Sequence, residues 1–343
     1  MFDIDKLVRD NVRSLAPYSC ARDEFMGSQG IFMDANENPF GNLNRYPDPY
    51  QRELKSGISR IKGIDENKIF LGNGSDEIID LIFRIFCNPG SDKALIFTPT
   101  YGMYEVSAAI NNVTVIKIPL DENFQISVDN VKPWLSDKSL KLIFICSPNN
   151  PTGNCMSIPD IEEIISGFNG IVIIDEAYID FTDKPSFINQ VDKYPNLIVM
   201  QTFSKAMGLA AVRVGMAFTN PGIVRYFNKM KPPYNISTIN QRAALQKLGK
   251  MGQSREQVNK IKKERERVSA KLRELSLTEK IYPTDANFIL VKVKDAGMIY
   301  KILVDNGIVV RNRNSVIKNC LRITIGKRDE NNKLIEALKK IEI

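Results

Sequence analysis

A lysine and an aspartate each stand directly behind an apolar stretch of this chain. Asp175 follows the β-branched run GIVII, and Lys205 follows NLIVMQTFS, with Arg213 eight residues further on among small residues. A lysine amine that is partly desolvated and near a cation has a lowered pKa, as a nucleophile requires. A surface lysine and a turn aspartate are the structural alternatives. The functional interpretation is an amine that attacks a carbonyl beside an acid that holds a positive charge.

A glycine-rich segment offers a site for a phosphate. GNGSDE (72–77) follows the apolar run KIFL and opens a helix pattern, so backbone amides at the helix start can point at an anion. Alone the segment is weak evidence, because its two acids also suit the helix dipole. Ser204 and Arg213 could bind the same phosphate through a hydroxyl and a guanidinium.

An asparagine lies in a turn behind another apolar run. SPNNPTG (147–153) follows KLIFIC, and its prolines, asparagines and glycine predict a turn. Asn150 could also donate a hydrogen bond to a phenolate-like ring oxygen. A phosphate cradle, an amide, a carboxylate, a lysine and an arginine thus occur in that order, each at the end of a predicted strand. This set suits pyridoxal 5′-phosphate (PLP), which acts as an electron sink only while its ring nitrogen stays protonated beside an acid.

The composition excludes several classes of protein. The 343 residues contain no histidine, so a Ser-His-Asp hydrolase and a His-Glu-x-x-His metalloprotease are excluded. The five cysteines include no C-x-x-C pair, which predicts free thiols, no disulfide framework and no metal site. The chain shows neither a secretory leader nor an apolar run long enough to span a membrane, so we expect a cytoplasmic protein.

The net charge of +7 suits either nucleic acid or small anionic ligands. The densest basic stretch, residues 255–275, has apolar residues at helical spacing and glutamates between its lysines and arginines. That pattern predicts one long amphipathic helix with a solvated face. We therefore favour small anions over nucleic acid.

The elements that carry these residues form an α/β pattern. Seven short apolar runs between residues 68 and 219 alternate with helical stretches, which predicts a mostly parallel sheet flanked by helices. Ligands bind beyond the carboxyl ends of strands in such sheets. We predict a large cofactor-binding domain (45–235), a smaller α+β C-terminal domain with a long linking helix (236–343), and an N-terminal arm that is partly in the small domain (1–44).

The motifs SPNNPTG, DEAY and TFSKAMGLAAVRVG resemble those of the fold-type I, class I/II PLP-dependent aminotransferases. Within that family, narrower motifs resemble those of the histidinol-phosphate aminotransferases: MDANENPFG (33–41), RYPDP (45–49), PTYGMY (99–104), DEAYIDF, ANFIL (286–290), GIVVR (307–311) and CLRITIG (320–326). The resemblance covers nearly the whole chain. It implies the PLP-dependent transferase fold.

The resemblance also implies a role for each matching residue. Lys205 would carry PLP as a Schiff base and move the proton, Asp175 would bind the ring nitrogen, and Tyr101 would stack on the ring. The remaining cofactor contacts would be made to the ring oxygen by Asn150 and Tyr178, and to the phosphate by Gly74, Ser75, Asp76, Ser204 and Arg213. Tyr46 would reach the phosphate in the partner subunit's site, which implies a homodimer.

The implied substrates are small anions. Arg322 would clamp the carboxylate of glutamate, and the same region, with Arg311 and Tyr18, would receive the phosphate of histidinol phosphate. An aromatic amino-acid aminotransferase and a threonine-phosphate decarboxylase share most of these motifs and stay open. One departure is visible, because Ala211-Val212 replaces the family's frequent Gly-Leu before Arg213, and alanine tolerates a positive φ poorly.

Overall fold

The structure, a computed structural model, describes residues 3–18 and 30–341. Two sheets organise this part of the chain. The larger has seven strands in the order β1-β7-β6-β5-β4-β2-β3 and the smaller has four in the order β10-β11-β9-β8. Cys20 lies outside the described residues.

The larger sheet is mostly parallel, as predicted. Its strands are β1 (Ile69–Asn73), β2 (Lys93–Thr98), β3 (Thr114–Pro119), β4 (Leu140–Cys146), β5 (Ile171–Asp175), β6 (Leu197–Thr202) and β7 (Val214–Thr219). Strand β7 runs antiparallel to β1 and β6, and the other neighbours pair in parallel. Strands β5, β6 and β7 are buried along their whole length, which explains their continuous apolar sequences.

Eleven α-helices lie in the described residues. They are α1 (Asp10–Ser14), α2 (Arg52–Lys62), α3 (Ser75–Phe86), α4 (Met103–Ile110), α5 (Val128–Val131), α6 (Ile158–Gly167), α7 (Pro221–Met230), α8 (Thr238–Leu248), α9 (Met251–Arg273), α10 (Ala296–Asp305) and α11 (Arg328–Lys339). The large sheet has an apolar cluster on each face. Strand β5 shows the alternation, because Val172 and Ile174 join one cluster while Ile171 and Ile173 join the other.

The smaller sheet is antiparallel throughout. Its strands are β8 (Thr278–Ile281), β9 (Phe288–Val293), β10 (Arg311–Asn312) and β11 (Cys320–Thr324). Its core is shared with α9, α10 and α11 through side chains such as Leu272, Leu303 and Leu334. The large and small sheets therefore each have their own hydrophobic core. This is the large α/β part and smaller α+β part that the sequence predicted.

The first described segment packs against the large sheet. Val8 and Val12 are buried in the same apolar cluster as Phe83, and Asp5 accepts a hydrogen bond from the Tyr226 hydroxyl at 2.7 Å. Ala244 of α8 lies beyond the predicted boundary at residue 235, yet it belongs to a core cluster of the large sheet. The domain limits at 44 and 235 stay predictions.

The basic stretch forms the predicted long helix, α9. Its buried side chains include Val258, Val268 and Leu272, so one apolar face packs inward. Its charges pair with acids, as when Arg267 contacts Glu264 and Lys271 contacts Glu274 at 2.9 Å. Across residues 3–18 and 30–341, no helix is both apolar enough and long enough to cross a lipid bilayer.

Candidate active site

A cavity of about 380 Å³ lies between the large sheet and strands β10 and β11 of the small sheet. It collects most of the side chains that the sequence singled out. The predicted residues that line it are Ser75, Asp76, Tyr101, Asn150, Asp175, Tyr178, Ser204, Lys205, Arg213, Arg311 and Arg322. Their roles stay predictions, but the structure brings them to one place.

The turn between β1 and α3 forms a bare backbone cradle. Gly74 has a φ of +78°, and a Cβ there would overlap the Arg213 guanidinium. On the adjacent β7, a Cβ on Gly215 would lie 2.6 Å from the amide nitrogen of Ser75. No side chain caps the N-terminus of α3. Exposed amides at a helix start, with an arginine beside them, bind phosphate well.

The departure at Ala211-Val212 does not disturb the arginine. Residues Ala210–Val212 form a 3-10 helix, and the positive φ falls on Arg213 itself, at 53°, and on Gly208, at 67°. Ala211 therefore does not adopt the left-handed backbone conformation that alanine tolerates poorly. Arg213 is further fixed by Asp76, whose Oδ2 accepts a hydrogen bond from its Nη2 at 3.2 Å.

Asp175 ends β5 as a buried carboxylate, only 4% exposed. Its Oδ2 accepts a hydrogen bond from the Tyr104 hydroxyl at 2.7 Å, and its Oδ1 accepts one from the Ala177 amide at 3.0 Å. Burial raises the pKa of Asp175, while these hydrogen bonds and the charge of Lys205 oppose that rise. Among the described residues no salt bridge reaches this carboxylate, so a cationic ring nitrogen would satisfy it.

Tyr104 is a functional candidate that sequence reasoning missed. It is fully buried on α4, and its ring meets that of Tyr101 edge-on with centroids 5.6 Å apart. A buried tyrosine hydroxyl needs a hydrogen-bond partner, and here the partner is Asp175. The spacing Tyr-x-x-Tyr places both rings on one side of the helix start. That signal was in PTYGMY, but the sequence does not show that Tyr104 is buried.

Lys205 lies in the loop after β6, as predicted. Burial lowers the pKa of its ammonium, and the cations of Arg322 and Arg213 lower it further, while Asp175 acts in the opposite direction. Its Nζ is 5.6 Å from the ring centroid of Tyr178. The amine therefore loses its proton more readily than an exposed lysine, which is what a nucleophile and proton carrier needs.

Asn150 and Arg322 link the two sheets across the cavity. The Asn150 side-chain oxygen accepts a short hydrogen bond from Nη1 of Arg322, whose guanidinium lies over the Phe288 ring at 5.3 Å. Burial lowers the pKa of Arg322 and raises that of Tyr178, so the tyrosine keeps a hydroxyl that can donate. A turn of the large domain thus positions an arginine of the small one.

Tyr46 and Tyr18 lie outside this cavity. Tyr46 stacks on Tyr234 with centroids 4.4 Å apart and lines a separate surface cavity. Tyr18 is 72% exposed and lines a third cavity with Lys55. A single chain does not bring either of them to Lys205. The lining residues that we did not predict are Cys146, Ala177, Thr202, Ala210 and Arg313.

The fold and cavity define a class of protein. Residues 29–338 match the sequence profile of the family described as aminotransferase class I and II, and the chain belongs to that family. Enzymes of this family depend on PLP, so the predicted cofactor and enzyme class are confirmed. The residues present fit that group: Gly74, Arg213 and the uncapped α3 suit its phosphate, and Asp175 suits its ring nitrogen.

Similar proteins narrow the class. Proteins named histidinol-phosphate aminotransferase from Cytophaga hutchinsonii and Bacteroides thetaiotaomicron are 48% and 50% identical to this chain, covering 98% and 100% of it and 99% and 100% of their own length. The solved histidinol-phosphate aminotransferase of Clostridium acetobutylicum has a TM-score of 0.80 at 29% identity, covering 87% of this chain and 90% of its own. That of Sinorhizobium meliloti, solved in complex with PLP, has a TM-score of 0.81 at 24% identity, covering 89% of each chain. The last likeness concerns the fold.

Proposed function

We propose that the protein is a histidinol-phosphate aminotransferase of histidine biosynthesis. It transfers the amino group between histidinol phosphate and 2-oxoglutarate, giving imidazole-acetol phosphate and glutamate. Relatives at 48% and 50% identity over nearly the whole chain support this function. The observation that carries it is one cavity lined both by Lys205, whose pKa is lowered by burial and by neighbouring arginines, and by the arginines of the small sheet.

The chain divides the chemistry among few residues. Bound PLP supplies the electron sink that lets a proton leave the substrate carbon bearing the amino group. Nζ of Lys205 would take up that proton from the substrate carbon and deliver it to the cofactor, and a lowered pKa keeps the amine free to accept the proton. Asp175 keeps a proton on the ring nitrogen, and Tyr178 donates to the ring oxygen. The Tyr104 hydrogen bond fixes the orientation of Asp175.

The arginines hold the substrates. Arg322 faces the cavity with Phe288 behind it and Asn150 beside it, so its guanidinium is held in one orientation. A guanidinium matches a carboxylate or a phosphate through two parallel hydrogen bonds. We infer that Arg322 binds the carboxylate of glutamate in one half-reaction and, with Arg311, the phosphate of histidinol phosphate in the other.

The half-reactions of the holoenzyme test the proposed substrates. The PLP absorbance band should shift to that of the pyridoxamine form on mixing with histidinol phosphate or with glutamate, because both substrates fit the arginine side of the cavity. Phenylalanine and threonine phosphate should react at least about tenfold less efficiently. Preferred turnover of phenylalanine would assign an aromatic aminotransferase instead, and carbon dioxide release from threonine phosphate a decarboxylase.

We further infer a homodimer in which Tyr46 completes the partner's site. The segment before it exposes large apolar side chains, with Ile31 93% and Met33 90% exposed. Monomers rarely leave such a group of apolar side chains in water. Glu37 holds the backbone before Tyr46 in place. Its carboxylate accepts hydrogen bonds from Nη1 of Arg45 and from the Tyr46 amide, both at 2.6 Å.

Mixed dimers test the role of Tyr46. We expect Tyr46→Ala to lose about tenfold in activity and Lys205→Ala nearly all of it, because one removes a phosphate contact and the other the reacting amine. Refolding the two variants together should restore about a quarter of wild-type activity, since half the random dimers then hold one intact site. Activity no higher than that of Tyr46→Ala alone would place Tyr46 in its own chain's site, and sedimentation would report the oligomeric state.

We place the protein in the cytoplasm. Cys87, Cys146, Cys155 and Cys320 are free thiols, as suits a reducing compartment. We do not assign a nucleic-acid partner, because the basic residues of α9 are interleaved with paired acids.

A further inference from the structure

Three arginines meet on the small-sheet side of the cavity. Arg311 on β10 lies directly opposite Arg322 on β11 in the antiparallel register. Arg313 follows two residues later, with its amide donating to the Cys320 carbonyl at 2.9 Å, so its backbone continues the same ladder. All three side chains line the cavity. Like charges directly opposite each other destabilise a strand pair, so this arrangement needs a compensating anion.

The described part of the chain supplies no such anion. None of its salt bridges involves Arg311, Arg313 or Arg322. The Nε atoms of Arg313 and Arg322 are buried without a hydrogen-bond partner. Burial lowers the pKa of Arg313, and the charges of Arg322 and Arg311 lower it further. Arg313 and Arg322 are half-buried, so leaving their charges without an ionic partner has a cost, and a bound anion lowers that cost.

The two anionic substrates of the proposed reaction differ in the charge and the number of oxygens that the three arginines must bind. A carboxylate carries one charge on two oxygens and is satisfied by one guanidinium fork. A phosphate monoester carries up to two charges on three terminal oxygens near neutral pH. Arg322 and Arg311 already account for the carboxylate and part of the phosphate, so a third guanidinium in the same cavity suits the additional oxygen and charge.

We propose that Arg313 is a specificity-determining residue that binds the phosphate of the phosphorylated substrate and contributes little to binding glutamate. This inference rests on the proposed function. It assigns Arg313 a task that neither its sequence motif nor its strand position requires, because its backbone alone satisfies the β10–β11 ladder. The side chain is otherwise without a hydrogen bond in the described residues, as its buried Nε illustrates.

The test compares substrates in the holoenzyme. Arg313→Gln should lower kcat/KM for histidinol phosphate about 10- to 100-fold, mainly through KM, while kcat/KM for glutamate changes less than about threefold. Arg313→Lys should recover part of the loss, because it keeps the charge without the planar fork. Lys318→Gln is the matched control, since it removes one charge from the same β10–β11 loop at an exposed position outside the cavity.

A binding measurement separates this inference from the proposed function. Calorimetry of the holoenzyme with inorganic phosphate should give an affinity at least about tenfold weaker for Arg313→Gln than for the wild type and Lys318→Gln. A wild type that does not turn over histidinol phosphate would refute the proposed function, and the phosphate affinity would still decide the role of Arg313. Equal losses with both substrates, or an unchanged phosphate affinity, would overturn the inference.

Discussion

Replacing Lys205 by alanine is expected to lower the transamination rate by roughly 10³- to 10⁴-fold while the chain stays folded. In the proposed mechanism the amine carries the proton, and burial and the charges of Arg322 and Arg213 lower its pKa. The Lys205 amine makes no hydrogen bond to another side chain among the described residues. Its loop is held by the backbone hydrogen bond from the Gly208 amide to the Lys205 carbonyl at 3.0 Å, which the substitution leaves in place. Steady-state kinetics and thermal unfolding check the two halves of this expectation.

Two further measurements make the Lys205 prediction specific. Borohydride should fix PLP to the wild-type chain at the peptide containing residue 205, as seen by mass spectrometry, and should fix none to Lys205→Ala. Added small primary amines should restore part of the lost rate, because they replace the proton carrier. Lys138→Ala removes an exposed lysine away from the cavity and should retain full activity. A Lys205→Ala enzyme within tenfold of the wild type would refute the assignment.

The large sheet was predictable because burial on both faces leaves a continuous apolar run for each strand. Each of the seven runs from KIFLG to VGMAFT became a strand of this sheet. The reversed direction of β7 was not predicted, since an apolar run between two glycine-containing turns reads the same in either direction. The domain limits stay predictions, because sequence order alone does not show that α8, which follows residue 235, buries Ala244 in the large core.

The site was predictable where a residue stands at the end of a strand. The rule brought Asp175 and Lys205 to one cavity, since the carboxyl ends of parallel strands meet at one edge, and their roles stay predictions. Tyr104 and Arg313 were missed for a different reason. Tyr104 reaches the site from helix α4 and Arg313 from the segment just after β10, and the positions of both depend on how separate elements pack. The Tyr-x-x-Tyr spacing hinted at Tyr104 but did not show that it is buried. What marks them is a buried polar atom that needs a partner, which only the structure reveals.

Asp175→Asn should lower the rate by roughly 10²- to 10⁴-fold and weaken PLP retention, with little change in the fold. The amide fills the same space but cannot balance the positive charge of a protonated ring nitrogen. Rapid kinetics give the rate, and equilibrium dialysis gives the affinity for PLP. The pKa of the bound cofactor, followed by absorbance, should also shift, which a merely structural change at this position would not produce.

Tyr104→Phe tests whether that carboxylate must also be held. It leaves Asp175 in place but removes the 2.7 Å hydrogen bond to Oδ2, at a cost of about 1–3 kcal/mol. We expect a smaller loss of rate and a smaller shift of the cofactor pKa than in Asp175→Asn. Tyr226→Phe is the matched control, because its hydroxyl also donates to an aspartate, Asp5, at 2.7 Å but lies outside the cavity. If both tyrosine variants only lost stability and kept the wild-type rate and cofactor pKa, Tyr104 would have a structural role alone. An Asp175→Asn enzyme as active as the wild type would show that Asp175 is not the partner of the ring nitrogen.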